Sequence, residues 1–212
     1  MTPSLLTLSN PNAPAAEAFR TLRSNLIFAS LEKPLQTVLV TSATADDGKS
    51  TALANLAVVM AQGGRRTILV DCDLRKPRQH ALFGVPNVAG FADWMLEPNP
   101  AAPALTTIPG VVGLQLLPAG TASANPADLL TSPRIRELIT SLKSQADFVL
   151  FDAAPLLAVS DAALLAAQLD GALLVVNSGQ ARRDDVQRAK EMLEKIHVRV
   201  VGAVLTNAVL LA

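Results

Sequence analysis

Aromatic residues are scarce in this sequence: no tyrosine, one tryptophan and six phenylalanines among 212 residues. Half the residues are apolar, so the core must be built of Ala, Val and Leu, which suits helices lying close on a parallel sheet. Cysteine is nearly absent as well. The single Cys72 excludes an internal disulfide framework, as expected of a cytosolic chain. Two widely separated histidines, His80 and His197, give no basis for a zinc site. Charge of either sign is not in excess, since 18 Lys and Arg balance 18 Asp and Glu. That argues against a nucleic-acid binder, whose basic footprint is missing. The pairs Arg65-Arg66 and Arg182-Arg183 read as solvated positions. No uninterrupted apolar run approaches the ~20 residues of a spanning helix. The N-terminus lacks a basic segment followed by a long apolar core, so secretion is not indicated. Membrane association is expected only through a partner.

What the chain does contain is Thr37 to Thr51, T-V-L-V-T-S-A-T-A-D-D-G-K-S-T. A short apolar strand (Val38, Leu39, Val40) runs into a loop, and Gly48-Lys49-Ser50-Thr51 opens an Ala-rich helix. Strand, loop and helix with G-K-S at the joint is the context of a phosphate-binding P-loop. Backbone N–H groups and the helix N-terminus face an anion there, Lys49 adds a mobile charge, and Ser50 offers a hydroxyl to a nucleotide's magnesium. The usual pattern has glycine where this chain has Ala43, and alone the run also fits an ordinary helix start.

The rest of the chain alternates. Residues 1–13 are Pro-, Asn- and Ser-rich and read as a flexible arm. A helix from Pro14 to about residue 30 places Phe19, Leu22 and Leu26 on one face. Glu17, Arg20 and Arg23 form a charged stripe beside it, either intrahelical pairs worth ~0.2–0.5 kcal/mol each or an oligomer contact. Further helices are expected at 50–62, 79–83, 91–96, from Ser132-Pro133 to 144, 161–168 and 183–196. Strands are expected at 67–70, 113–117, 148–152, 171–177 and 198–205, and residues 98–103 and 118–126 as surface connections. The series implies one domain over residues 1–212. It should be an α/β fold, with a mostly parallel central β-sheet and helices on both faces.

Two strands end in acids. Thr67 to Val70 leads into Asp71-Cys72-Asp73-Leu74-Arg75, and Phe148-Val149-Leu150-Phe151 ends at Asp152, the form of a Walker B element. Acids at the C-terminal ends of strands lie where open α/β sheets bind ligands, although solvated loop acids would look the same. Lys49, a Ser50 hydroxyl and three carboxylates are the inventory a magnesium nucleotide needs. Asp73 and Asp152 can hold the metal's waters. Asp71 is left to orient, or accept a proton from, an attacking hydroxyl. The residues alone therefore point to an ATP- or GTP-dependent phosphoryl-transfer site or a nucleotide switch.

Several stretches resemble the bacterial protein-tyrosine kinases of capsule and exopolysaccharide synthesis, a P-loop NTPase fold unrelated to eukaryotic kinases. Residues 16–28, A-E-A-F-R-T-L-R-S-N-L-I-F, are similar to the family's E-x-x-R-x-x-R helix, and the P-loop run is similar to its Walker A. V-D-C-D-L-R-K-P (70–77) resembles its Walker A′, and F-D-A-A-P-L-L-A-V-S-D-A (151–162) its Walker B. N-P-A-D-L-L-T-S (125–132) and L-D-G-A-L-L-V-V (169–176) continue the likeness. The resemblance implies ATP and Mg2+ as cofactors and a protein tyrosine as acceptor. Lys49, Asp71, Asp73 and Asp152 would be catalytic, and the run Asp46, Asp47, Gly48, Lys49, Ser50, Thr51 nucleotide-binding. Ser50, Asp73 and Asp152 would serve the metal, and Glu17, Arg20 and Arg23 a ring-shaped homo-oligomer. It further implies a membrane adaptor, or polysaccharide co-polymerase, that activates the kinase at the inner face of the cell membrane.

Two departures set this chain apart. The family's C-terminal tyrosine cluster has no counterpart, since the chain has no tyrosine, and self-phosphorylation on tyrosine is chemically impossible for it. Either a tail lies outside this sequence, or other proteins are phosphorylated in trans, or the chain is only an ATPase switch. Ala45-Asp46-Asp47 also stands where the family tends to have P-G-E, which predicts modest ATP affinity unless those side chains point outward. A septum- or partition-type switch ATPase is the competing reading, but such proteins usually carry a second, early P-loop lysine where this chain has Ala43 and Thr44. A weak pseudokinase that scaffolds a ring is the third.

Overall fold

The computed structural model describes residues 5–121 and 125–208. Its chain order is α1 (Leu6–Ser9), α2 (Pro14–Glu32), β1 (Thr37–Ser42), α3 (Lys49–Gln62), β2 (Thr67–Asp71), α4 (Gln79–Phe83) and α5 (Phe91–Leu96). Then come β3 (Thr106–Thr107), β4 (Leu114–Leu117), α6 (Pro126–Thr131), α7 (Arg134–Gln145) and β5 (Phe148–Asp152). α8 (Asp161–Ala166), β6 (Gly171–Asn177), α9 (Arg183–Lys195) and β7 (Val200–Thr206) complete it.

The strands form one sheet in the order β3-β4-β2-β5-β1-β6-β7, parallel except for the antiparallel edge strand β3. Alternate side chains divide between two cores, as pleating requires. Val38, Val40, Leu69, Leu150 and Leu173 pack with residues of α2 and α3 on one face. Leu39, Ile68, Val70, Phe151 and Leu174 pack with residues of α7, α8 and α9 on the other. The central strands β1, β2, β5 and β6 are mainly apolar because both faces are covered, whereas the edge strand β7 leaves Ala203 and Leu205 exposed. The core is aliphatic as expected, with Phe91 and Phe151 its fully buried aromatics.

The elements expected from sequence are present, most with ends shifted by one to three residues. Several readings need correction. Residues 5–10 are not loose: Leu5 and Thr7 are buried, and Thr7 donates through its backbone N–H (3.0 Å) and hydroxyl (2.9 Å) to Asn55 Oδ1 on α3. Residues 1–4 of the expected arm lie outside the described residues. α3 turns no polar face to solvent after its first turn, for Ala52 through Ala61 are all buried. The sheet covers one side, and α1 and α2 cover the other. β3 is too short, and α6 too Pro- and Ala-rich, to show a period in the sequence. Ile196, included in the helix expected over 183–196, follows α9 and is exposed. Among the described residues no helix is long and apolar enough to cross a membrane.

Candidate functional site

The order β2-β5-β1 brings three strand ends side by side at one rim. Asp71 and Asp152 are register partners across β2 and β5, and Asp152 pairs with Val40 on β1 just before the P-loop. The P-loop turns into α3 through Gly48, whose φ of 80° is left-handed and favours glycine. Asp46 also has a positive φ, 65°, which an aspartate tolerates better than most residues. It is exposed and lines the cleft. Asp47 turns inward instead: its Oδ2 accepts from the Thr44 N–H (3.2 Å) and hydroxyl (3.1 Å), and Thr206 donates to its carbonyl (2.9 Å). Of the two acids, Asp46 is exposed and Asp47 is buried, so the condition that would spare ATP affinity is met at Asp46 alone. Asp47 thus occupies the backbone donor of Thr44.

Lys49 Nζ sits 2.6 Å from Asp73 Oδ2, 3.5 Å from Asp152 Oδ1 and 3.3 Å from Ser50 Oγ. These three partners are the ones assigned to a metal from sequence, so the ammonium marks a cation position among them. Burial works against the Lys49 charge, but Asp152 and Asp73 outweigh it and hold its pKa above the ordinary value. Asp152 is fully buried, and that desolvation keeps its carboxyl above the ordinary range although Lys49 pulls the other way. Among the described residues no three His, Cys, Asp or Glu side chains close on one point as a full ligand set. That fits Mg2+, which keeps several waters and takes one or two carboxylates plus phosphate oxygens. The residues present therefore suit a magnesium nucleotide.

Asp71 differs from the other two acids. Like Asp152 it has no exposed surface, but its oxygens are taken by backbone N–H groups: Oδ2 accepts from Arg78 (3.0 Å) and Gln79 (2.9 Å), and Oδ1 from Asp73 (3.3 Å). Burial, reinforced by Asp152, pushes its pKa up to about 8 despite these bonds. It stitches the 73–79 loop together below the rim and does not line the cleft. That cleft, about 280 Å3, is bounded by Gly48, Lys49, Ser50, Thr51 and Asp73, by Arg75, Lys76 and Arg78, and by Ala154, Pro155 and Val159.

Three participants were not legible in the sequence. Arg75 forms a two-point ion pair with the buried Asp161 (2.7 and 3.2 Å), tying the 73–79 loop to α8. Thr206 clasps the P-loop from β7. Gln79 Nε2 donates to Asp152 Oδ2 (2.7 Å) and to the Ser50 carbonyl (3.0 Å). Each is a common residue type whose partner is remote in sequence, so only the presence of an Arg in the Walker A′ run and a Gln just after it was available as a hint. The helix residues Glu17, Arg20 and Arg23 lie apart from this cleft. Arg20 pairs with Glu17 (2.7 Å) and reaches the Pro11 carbonyl (2.6 Å), while Arg23 donates to the Val59 carbonyl near the end of α3 (3.0 Å).

Comparison with known proteins follows the same lines. Residues 34–210 match the ParA family, described as NUBPL iron-transfer P-loop NTPase. Tyrosine-protein kinase YwqD of Bacillus subtilis (strain 168) is 36% identical over 204 residues, covering 96% of this chain and 86% of YwqD. The kinase domain of Escherichia coli tyrosine kinase ETK superposes with a TM-score of 0.92 at 32% identity, over 98% of this chain and 81% of that one. The chimerical protein CapA2B2 gives 0.91 at 34% identity, over 96% and 89%. Full-length Etk is much longer, and this chain spans 28% of it. The septum site-determining protein MinD of Pyrococcus horikoshii, complexed with Mg-ADP, shares the fold at 23% identity and a TM-score of 0.66. With its Walker A, A′ and B residues gathered at one rim and its relatives so named, the chain belongs to the bacterial tyrosine-protein kinases, within the ParA-like P-loop NTPases.

Proposed function

We propose that this protein is an ATP-dependent protein-tyrosine kinase of polysaccharide synthesis and export that phosphorylates tyrosines of other proteins. The observation that carries the reading is the Lys49 ammonium at the focus of Ser50, Asp73 and Asp152, beside the P-loop turn. In it Gly48, Lys49, Ser50 and Thr51 bind the phosphate tail, and Lys49 exchanges its two carboxylates for the β/γ phosphates. Ser50, Asp73 and Asp152 would hold Mg2+, which when bound neutralises charge on the transferring phosphoryl group. Asp71 would partner the acceptor hydroxyl once the 73–79 loop frees its oxygens. The family resemblance supports a ring-shaped homo-oligomer built through Glu17, Arg20 and Arg23. It also supports a membrane adaptor that brings this domain to the inner face of the cell membrane.

A switch ATPase is the second reading, favoured by the complete burial of Asp71, which keeps that carboxylate from the cleft. Incubation with labelled ATP, Mg2+ and a tyrosine-bearing protein, with and without an adaptor tail, separates the two. Phosphotyrosine on the added protein is the expected product. Free phosphate alone assigns the switch, and neither product leaves only a scaffold.

A further inference from the structure

Gln79 lies outside the residues assigned a role from the sequence, yet it has no exposed surface and sits among them. Its backbone N–H donates to Asp71, and its side-chain Nε2 donates to both Asp152 Oδ2 and the Ser50 carbonyl. One residue thus joins the ends of β2 and β5 to the first turn of α3. Both neighbours of Nε2 are acceptors only, which forces the orientation of the amide. Its other end, Oε1, is buried without a hydrogen-bond partner. An unpaired buried acceptor costs stability, and an apolar side chain of similar length would avoid that cost. The use of an amide here therefore lies in its donor end.

That donor holds Oδ2 of Asp152 while Oδ1 faces the Lys49 ammonium. The terminal torsion of an aspartate is broad, so an untethered carboxylate turns readily. With Oδ2 held, Oδ1 stays directed at the cation position, and the shared bond to the Ser50 carbonyl fixes the carboxylate relative to the start of α3. We propose that Gln79 is a positioning residue that aims Asp152 at the cation site it shares with Ser50 and Asp73. The inference rests on reading that site as one for a magnesium nucleotide. Outer partners of metal-binding groups commonly alter metal affinity by about 10–100-fold.

The test is binding of a fluorescent ADP to the whole chain, in EDTA and in excess Mg2+, for the parent and for Gln79→Met. Magnesium should tighten binding to the parent, and Gln79→Met should lose about tenfold of that gain with its affinity in EDTA unchanged. On an Asp152→Asn background the Gln79 substitution should have no further effect, because the group it orients is already altered. An undiminished magnesium gain in Gln79→Met overturns the inference. So does an equal loss with and without the metal, which is the mark of a packing role. Should Gln79→Met fail to give a folded protein by circular dichroism, Gln79→Ser, which removes the same donor without adding bulk, replaces it with the same expected outcomes. If the parent itself shows no magnesium-dependent gain, the nucleotide reading falls and this inference with it.

Discussion

At the rim of the sheet single residues carry opposing demands. Lys49 pairs with two buried acids, and Lys49→Met removes the ammonium from both. Breaking a buried pair from one side typically costs on the order of 3–5 kcal/mol, lessened if the acids take up protons. Urea unfolding should show that loss, and turnover should fall ~10²-fold or more because a charge positioned on the transferring group is gone. Turnover that survives the change would mean the site is assigned wrongly. Asp71 makes a separate prediction from pH. Its folded pKa, about 8, lies above that of an unfolded aspartate, so the folded chain binds the extra proton. Its contribution to stability is complete below the unfolded value of ~3.9 and is lost as pH rises through about 8. Unfolding free energy measured at several pH values between 5 and 9 should therefore decline with pH. Asp71→Asn should flatten that decline, and an equal slope in both proteins would assign the proton to another group.

Among the elements, α2 bears most on how the domain assembles. Its Arg23 side chain runs so close over the end of α3 that a Cβ on Gly63 would meet Arg23 Nη1 at 2.7 Å. A side chain at Gly63 would therefore have to push the Arg23 guanidinium aside, although its φ of −82° is open to any residue. Arg23→Ala removes a charged donor from the Val59 carbonyl and should lower stability by about 1.5 kcal/mol in chemical unfolding. Arg20→Ala, which loses an exposed pair with Glu17 and an exposed bond to the Pro11 carbonyl, should cost ~1 kcal/mol or less. If α2 also builds a ring, the double substitution should move the mass in light scattering toward the monomer. A ring that persists would confine Glu17, Arg20 and Arg23 to the intramolecular bonds described above. The helical pattern of α2 was readable from Phe19, Leu22 and Leu26, but the use of Arg23 was not. Its partner is a backbone carbonyl 36 residues away, and carbonyls carry no sequence signal.

For the whole molecule, a magnesium nucleotide that binds only the folded chain must stabilise it by mass action. At a ligand concentration ~100-fold above Kd the gain is about 2.7 kcal/mol, and the melting temperature should climb with ATP and Mg2+ together more than with ATP in EDTA. No shift at any concentration would count against a nucleotide site. After the same incubation, mass spectrometry should find phosphotyrosine on an added acceptor protein and none on this chain, which has no tyrosine.

The sequence by itself determined the α/β alternation, the apolar strands covered on both faces, the P-loop and the acids at the strand ends. Each of these is a local pattern: a period of residues, or a few side chains at a joint between elements. The tertiary structure alone decided that Lys49 meets Asp73 and Asp152, 24 and 103 positions away. It also decided that Asp71 is buried under its own loop, that Asp47 turns inward, and that Gln79 bridges β2, β5 and α3. Strand order sets those meetings, and strand order depends on which faces pack together, a property of the assembled sheet that no single stretch of chain contains.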